Sequence, residues 1–184
     1  MAELAVGDAA PDLILLDPDE KPLALSSLWN RGPLALIVLR HFGCPMCHQH
    51  LAAVQKRLGE FERRGAQVIA VGQGTGAEAA AAARRHRITY PVLGDPGHQT
   101  YRTLGLARTG WWGLTLAPFF RDFRTSWANL KQADLGAAQS PRSDVMRLGG
   151  ALVVGPDGRI RFLHRSQSTT DVPSTDALLA ALDR

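Results

Sequence analysis

The sequence predicts an α/β fold, a central mixed β-sheet flanked by helices. Three observations lead there. Short apolar runs alternate with helix-period segments along the 184 residues. One run, residues 34–39 (Leu-Ala-Leu-Ile-Val-Leu), is continuous, as in a strand covered on both faces. Late in the chain, Gly155-Pro156-Asp157-Gly158 separates two further runs and marks a hairpin.

The elements follow in order. Residues 13–16 are a short apolar run, and Pro18-Asp19-Glu20 is turn chemistry. Residues 25–29 suit a short helix that Arg31-Gly32-Pro33 ends. After the buried strand, Cys44-Pro45 opens a helix expected to reach residue 64, because proline at the first turn gives up no needed N–H. Leu51, Val54, Leu58 and Phe61 recur at helical spacing, and Gly65 stops the segment. Residues 67–71 are the next strand, Gly72-Gln73-Gly74-Thr75-Gly76 is a glycine-rich loop, and residues 77–86 are an alanine-rich helix. Residues 90–93 form a strand and residues 98–104 a short helix ended by Gly105. Residues 109–147 read as a helical insertion before the final hairpin, with Trp111, Trp112, Phe119, Phe120, Phe123 and Trp127 crowded together. Residues 151–154 and 159–163 make the hairpin, and residues 174–182 close as a helix with Ser174 as N-cap. The length suits one domain over residues 1–184.

Bulk properties narrow the function. The net charge is +4, carried by scattered arginines such as Arg63-Arg64 and Arg84-Arg85. Without a dense basic run or interleaved aromatics, these read as solvated helix faces and strand ends, so no nucleic-acid partner is expected. No stretch of eighteen apolar residues exists, so no membrane partner is expected. The N-terminal segment lacks a basic region followed by an apolar one, and a cytoplasmic location is the expectation.

The chemistry centres on His41-Phe42-Gly43-Cys44-Pro45-Met46-Cys47. The chain has 2 cysteines, three positions apart, which would close almost no loop and make a poor structural staple. A thiol at a strand-to-helix turn meets the free N–H groups and positive dipole end of the helix, which favour the reactive thiolate. Cys47, one turn deeper, shares a helical face with Cys44. Cys44 is therefore the expected attacker and Cys47 the resolver, in a thioredoxin-like thiol–disulfide arrangement. Three other readings stand beside it. The cysteines are inert core residues in one. In another they bind zinc with His41, His48 and His50, although no second cysteine pair completes the ligands. In the last, Cys44-Pro45-Met46-Cys47-His48 carries a c-type haem, chemistry that needs export. The redox reading needs no cofactor and no metal.

The residues also resemble a known family. Gly7-Asp8-Ala9-Ala10-Pro11-Asp12-Leu13, Leu25-Ser26-Ser27-Leu28 and the run into Cys44 look like the opening of the alkyl hydroperoxide reductase/thiol-specific antioxidant (peroxiredoxin) superfamily. Tyr90-Pro91-Val92-Leu93-Gly94-Asp95-Pro96, with Tyr101 and Gly105, is similar to its middle signature. The segment from Leu148-Gly149-Gly150 to Gly158, and the aromatic insertion, look like the Cys-x-x-Cys branch that includes the prostamide/prostaglandin F synthases.

The resemblance implies a thioredoxin-like fold and an antioxidant thiol-dependent oxidoreductase. Peroxide would oxidise Cys44 to a sulfenic acid, Cys47 would condense with it, and a thioredoxin- or glutathione-type donor would reduce the disulfide. A homodimer is compatible with it. Three positions depart from the family's pattern: Ile37 stands for its proline, His41 for its threonine and Gly149 for its arginine. Arg40 and Arg147 are the candidates to replace that cation, unless each is merely solvated or paired with a carboxylate. His41 is a candidate proton acceptor or cation beside the thiol, or a strand-end residue without a role. Two alternatives follow: a protein-disulfide reductase without peroxidase activity, or a redox-sensing module whose aromatic insertion docks a partner.

Overall fold

The computed structural model describes residues 3–110 and 143–184. Seven strands form one sheet in the order β2-β1-β5-β4-β3-β6-β7. They are β1 (Ile14–Leu16), β2 (Pro22–Ala24), β3 (Leu34–Val38), β4 (Gln67–Gly72), β5 (Val92–Gly94), β6 (Gly150–Val154) and β7 (Ile160–Arg165). The helices among the described residues are α1 (Ser26–Trp29), α2 (Pro45–Lys56), α3 (Leu58–Glu62), α4 (Gly76–His86), α5 (Gln99–Thr103) and α6 (Thr175–Leu182). β3, β4 and β5 run parallel, while β6, β7, β1 and β2 add antiparallel edges. The sheet is mixed, as expected.

β3 is the spine, and all five of its residues are buried. Its side chains alternate: Ala35, Ile37 and Leu39 enter a core layer with Leu51, Val54, Phe61 and Leu178, while Leu34, Leu36 and Val38 enter the opposite layer with Trp29, Tyr101 and Leu104. Helices therefore cover both faces, which explains the unbroken apolar run. Each such buried side chain contributes roughly 1.5–3 kcal/mol from burial.

Three elements differ from the sequence expectation. The helix opened by Cys44-Pro45 ends at Lys56, and α3 starts after Arg57, whose φ of −115° and ψ of 15° break the regular turn. One irregular residue hardly rotates the apolar stripe, so Leu51, Val54 and Phe61 still reach one core and the sequence pattern hides the break. β2 has no sequence signal of its own. It is three residues long, begins with proline as an edge strand can, and exists because β1 offers a partner. The strand expected over residues 90–93 is Val92–Gly94, because Tyr90 lies ahead of the ladder with β4. Most of the expected 109–147 insertion, including all six aromatics, lies outside the described residues.

Candidate active site

β3 ends at Val38, and the chain then crosses the top of the sheet as Leu39-Arg40-His41-Phe42-Gly43 before α2 begins. This crossing is anchored from both sides. The Tyr101 hydroxyl donates to Leu39 O at 2.6 Å, and the Leu39 N–H donates to Val71 O at 2.8 Å. Tyr101 is itself placed by Asp95, whose carboxylate accepts the N–H groups of Gln99 and Thr100 at 2.9 and 2.8 Å and caps α5. The glycine-rich loop has a packing role here, since a Cβ at Gly72 or Gly74 would press into the Phe42 ring. Glycine at both positions leaves the space that the Phe42 ring fills.

Cys44 is the N-cap of α2 and Pro45 occupies the first turn. The Cys47 N–H donates to Cys44 Sγ at 3.4 Å, as an N-capping side chain accepts an orphan donor. The Arg40 guanidinium donates to the same sulfur at 3.7 Å through Nη1 and to Val145 O at 2.8 Å through Nη2. The Arg40 backbone N–H donates instead to Cys47 Sγ at 3.3 Å. One residue thus touches both sulfurs. Both cysteines are buried and reduced.

These contacts separate the two thiols. The Cys44 pKa falls from 9.0 to about 6, chiefly because the Cys47 thiol donates to its thiolate, with the Arg40 charge and the Cys47 N–H assisting against burial. The Cys47 pKa rises well above the ordinary thiol value, because it shares its proton with Cys44 and is buried. The proton that the two thiols share therefore favours Cys47.

The remaining sequence candidates divide. Arg40 stands at Cys44. Arg147 does not: its guanidinium donates to Leu106 O at 3.4 Å and faces the Asp144 carboxylate at 3.7 Å. His41 is buried, its Nδ1 has no partner, and burial together with the Arg40 charge holds its pKa down at about 4. The cationic role considered for His41 is thus disfavoured at neutral pH, whereas a neutral proton acceptor remains open to it. Gly149 has no room for a side chain, because a Cβ would collide with the Val38 carbonyl. A cation at the thiol must therefore come from elsewhere, and Arg40 supplies it.

The three histidines considered as zinc ligands diverge. His48 Nε2 lies 2.6 Å from Phe42 O, and its ring stacks on His86 at 3.5 Å. His50 borders a different cavity, beside Cys47. Among the described residues, no group of three or more His, Cys, Asp or Glu side chains is arranged to hold a metal ion.

Gln73 was not singled out from the sequence. Its side chain is buried, and its amide donates to Arg40 O and, at 3.1 Å, to Asp144 O, while its carbonyl accepts the Asp144 N–H at 2.7 Å. It fastens segment 143–147 to the cysteine loop and so positions Val145 O, the second anchor of the Arg40 guanidinium. Its only sequence signal is a lone amide inside a glycine-rich loop.

The AhpC/TSA family profile matches residues 6–162. The chain belongs to the AhpC/TSA family. The bovine "Peroxiredoxin-like 2C" is 22% identical over 179 residues, covering 93% of this chain and 77% of the relative. The prostamide/prostaglandin F synthase of Salmo salar is 26% identical over 161 residues, covering 86% of this chain and 78% of the relative. Peroxidoxin BcpB from Mycobacterium tuberculosis superposes with a TM-score of 0.69 at 19% identity, covering 97% of this chain and 96% of that one. Reduced Prx3 in complex with H2O2 from Vibrio vulnificus gives a TM-score of 0.70 at 15% identity, covering 97% and 99%. The fold is thioredoxin-like, with the peroxiredoxin arrangement of strands. This AhpC/TSA chain is a thiol-dependent oxidoreductase, and Cys44 and Cys47 are its only thiols. Among the described residues, no helix is long and apolar enough to cross a membrane.

Proposed function

We propose that this AhpC/TSA protein reduces peroxides through Cys44, with Cys47 as the resolving thiol. The observation that carries the reading is Cys44 at the start of α2, with the Cys47 N–H and the Arg40 guanidinium on its sulfur. The Cys44 thiolate attacks one peroxide oxygen and the O–O bond breaks. The sulfur becomes a sulfenic acid, oxidised by two electrons, and the other oxygen leaves as hydroxide or alkoxide and takes up a proton. The Arg40 charge stabilises both the attacking thiolate and the oxyanion that develops. Cys47 then attacks Cys44 Sγ, the S–S bond forms, the S–O bond breaks and water leaves. A dithiol donor of the thioredoxin or glutathione type returns two electrons and restores the pair. A reducing compartment such as the cytoplasm suits a thiol pair that must be returned to its reduced form after each turnover.

A second reading has its own observation. His41 and Gly149 occupy the positions where the family places a hydroxyl and a guanidinium on the oxidant, and the same thiol pair would serve a protein-disulfide reductase. Peroxide consumption with a thioredoxin system, set beside reduction of insulin disulfides, separates the two. We expect peroxide turnover that Cys44→Ser abolishes; insulin reduction without peroxide consumption would favour the second reading. Activity undiminished in Cys44→Ser would remove both.

A further inference from the structure

Cys47 must lose its proton before it can attack, yet its surroundings hold that proton tightly. Arg40 N–H and Cys44 are the groups described on its sulfur; the N–H cannot accept a proton, and the sulfenic oxygen on oxidised Cys44 leaves in line, on the side opposite the attacking sulfur. The chain therefore needs a proton acceptor on the Cys47 side. Cys47 borders a cavity of about 10 Å³, at the lower limit for one water molecule. Arg40, His50, Ser166, Thr169 and Asp171 also line it.

His50 is the group of interest there. It follows Cys47 by three residues on α2, so the two side chains share a helical face. It is 8% exposed, and its Nε2 has no hydrogen-bond partner in the protein. A buried ring nitrogen is seldom left unpaired without a role or a water. Beyond it, His164 of β7 has Nε2 3.1 Å from Asp171 Oδ1; that nitrogen is buried and not aligned for a hydrogen bond, while the two side chains as a whole are 26% and 33% exposed. Those two groups reach solvent, and Cys47 does not. The groups that face His50 are therefore Cys47 from α2, Arg40 from the end of β3, His164 from β7 and Asp171 from the segment after it. His41, the other buried histidine near the pair, does not line the cavity.

We propose that His50, through one water molecule in this cavity, takes the Cys47 proton as that thiol attacks, and that His164 and Asp171 carry it towards solvent. The inference rests on the reading of Cys47 as the resolving thiol. Burial and the neighbouring His164 keep the His50 imidazole neutral, with its pKa at about 4, so with its own proton on Nδ1 it presents a lone pair at Nε2. It holds the new proton only in transit. Oxidation of Cys44 removes the thiolate that held the Cys47 proton, which makes the transfer easier at the moment it is needed. The sum balances: the Cys47 S–H bond breaks and its proton is released to solvent, S–S forms, S–O of the sulfenic acid breaks, and the departing hydroxide takes one proton from solvent to leave as water.

The test uses the aromatic disulfide 5,5′-dithiobis(2-nitrobenzoate) on the reduced protein, where no peroxide is involved. The first thionitrobenzoate is released when Cys44 attacks, and the second when Cys47 attacks the mixed disulfide. His50→Asn is expected to slow the second phase about tenfold or more at pH 7 and flatten its pH profile, with the first phase within about twofold of wild type. Asp171→Asn, at a partly exposed position, is expected to slow the second phase about threefold. In wild type the second phase is expected to slow about twofold in D2O. A second phase in His50→Asn with wild-type rate and pH profile overturns the proposal. Should His50→Asn fail to fold, an unchanged second phase in Asp171→Asn together with no solvent isotope effect in wild type overturns it. No second phase in wild type overturns it too. If both phases behave as expected but peroxide yields no sulfenic acid on Cys44, the proton route stands and the peroxidase reading falls.

Discussion

The two sulfurs lie one helical turn apart, yet their surroundings differ in every respect that matters to a thiol. On the Cys44 side stand a helix N-terminus, a guanidinium and two N–H or S–H donors, and the pKa drops to about 6. On the Cys47 side stand a single backbone N–H, a small cavity and an unpartnered histidine, and the proton is held. The contrast shows how a short motif assigns unequal jobs to identical side chains. The helix N-cap position favours one thiolate, and that thiolate in turn loads the second thiol with the shared proton.

Three substitutions test this contrast. Arg40→Leu has the largest expected effect, since it removes the only described cation on Cys44 Sγ. The pH midpoint of Cys44 alkylation by iodoacetamide should rise from about 6 in the wild type. Loss of one adjacent opposite charge is expected to move that midpoint by about 1 unit, and the rate of Cys44 oxidation to fall about twofold at pH 7 and about fivefold at pH 6 as the thiolate is lost. The sign follows from the thiolate being the reactive form: wild-type reactivity disappears as pH falls through about 6, and the variant loses it at higher pH. An unchanged midpoint would place the stabilisation in the Cys47 thiol and the helix end.

Gln73→Leu should come next. It leaves the Arg40 carbonyl and the Asp144 N–H without their partner, and the Asp144 carbonyl with the Arg147 N–H alone. Unpaired buried groups of this kind cost about 1–3 kcal/mol, visible in urea unfolding. The Cys44 midpoint should move in the same direction as in Arg40→Leu but by less, because the guanidinium is loosened and not removed. A loss of stability with no movement of the midpoint would make Gln73 purely structural.

Arg147→Ala should matter least to the thiol. Its guanidinium serves Leu106 O and Asp144, so the Cys44 midpoint is expected within about 0.3 unit of wild type, with a stability loss of at most about 1 kcal/mol. A large rise in the midpoint would mean that both arginines act on the thiolate.

Much of this molecule was legible in its sequence, for a local physical reason. The apolar run of β3, the glycine–proline hairpin between β6 and β7, the Ser174 cap of α6 and the Cys44-Pro45 helix start are each specified by neighbours within a few residues. The motif and its strand-to-helix setting, on which the proposed order of attack rests, are consequences of those local rules. What failed to show were features whose partner is distant in sequence. β2 forms because β1 pairs with it. The break at Arg57 leaves the apolar stripe in place and so leaves no mark on the pattern.

The site follows the same division. Sequence alone determined that two cysteines stand one turn apart at the head of a helix, with arginines and histidines nearby. Only the tertiary structure decided between Arg40 and Arg147, because a guanidinium is chosen by where its chain segment lands, and residue 145 must come within reach of residue 40 to hold it. It also placed Gln73 between Arg40 and Asp144, shut a side chain out of position 149, and set His50 against a cavity closed by residues more than a hundred positions away. Those choices depend on burial and on contacts across the sheet, which no short window of sequence contains.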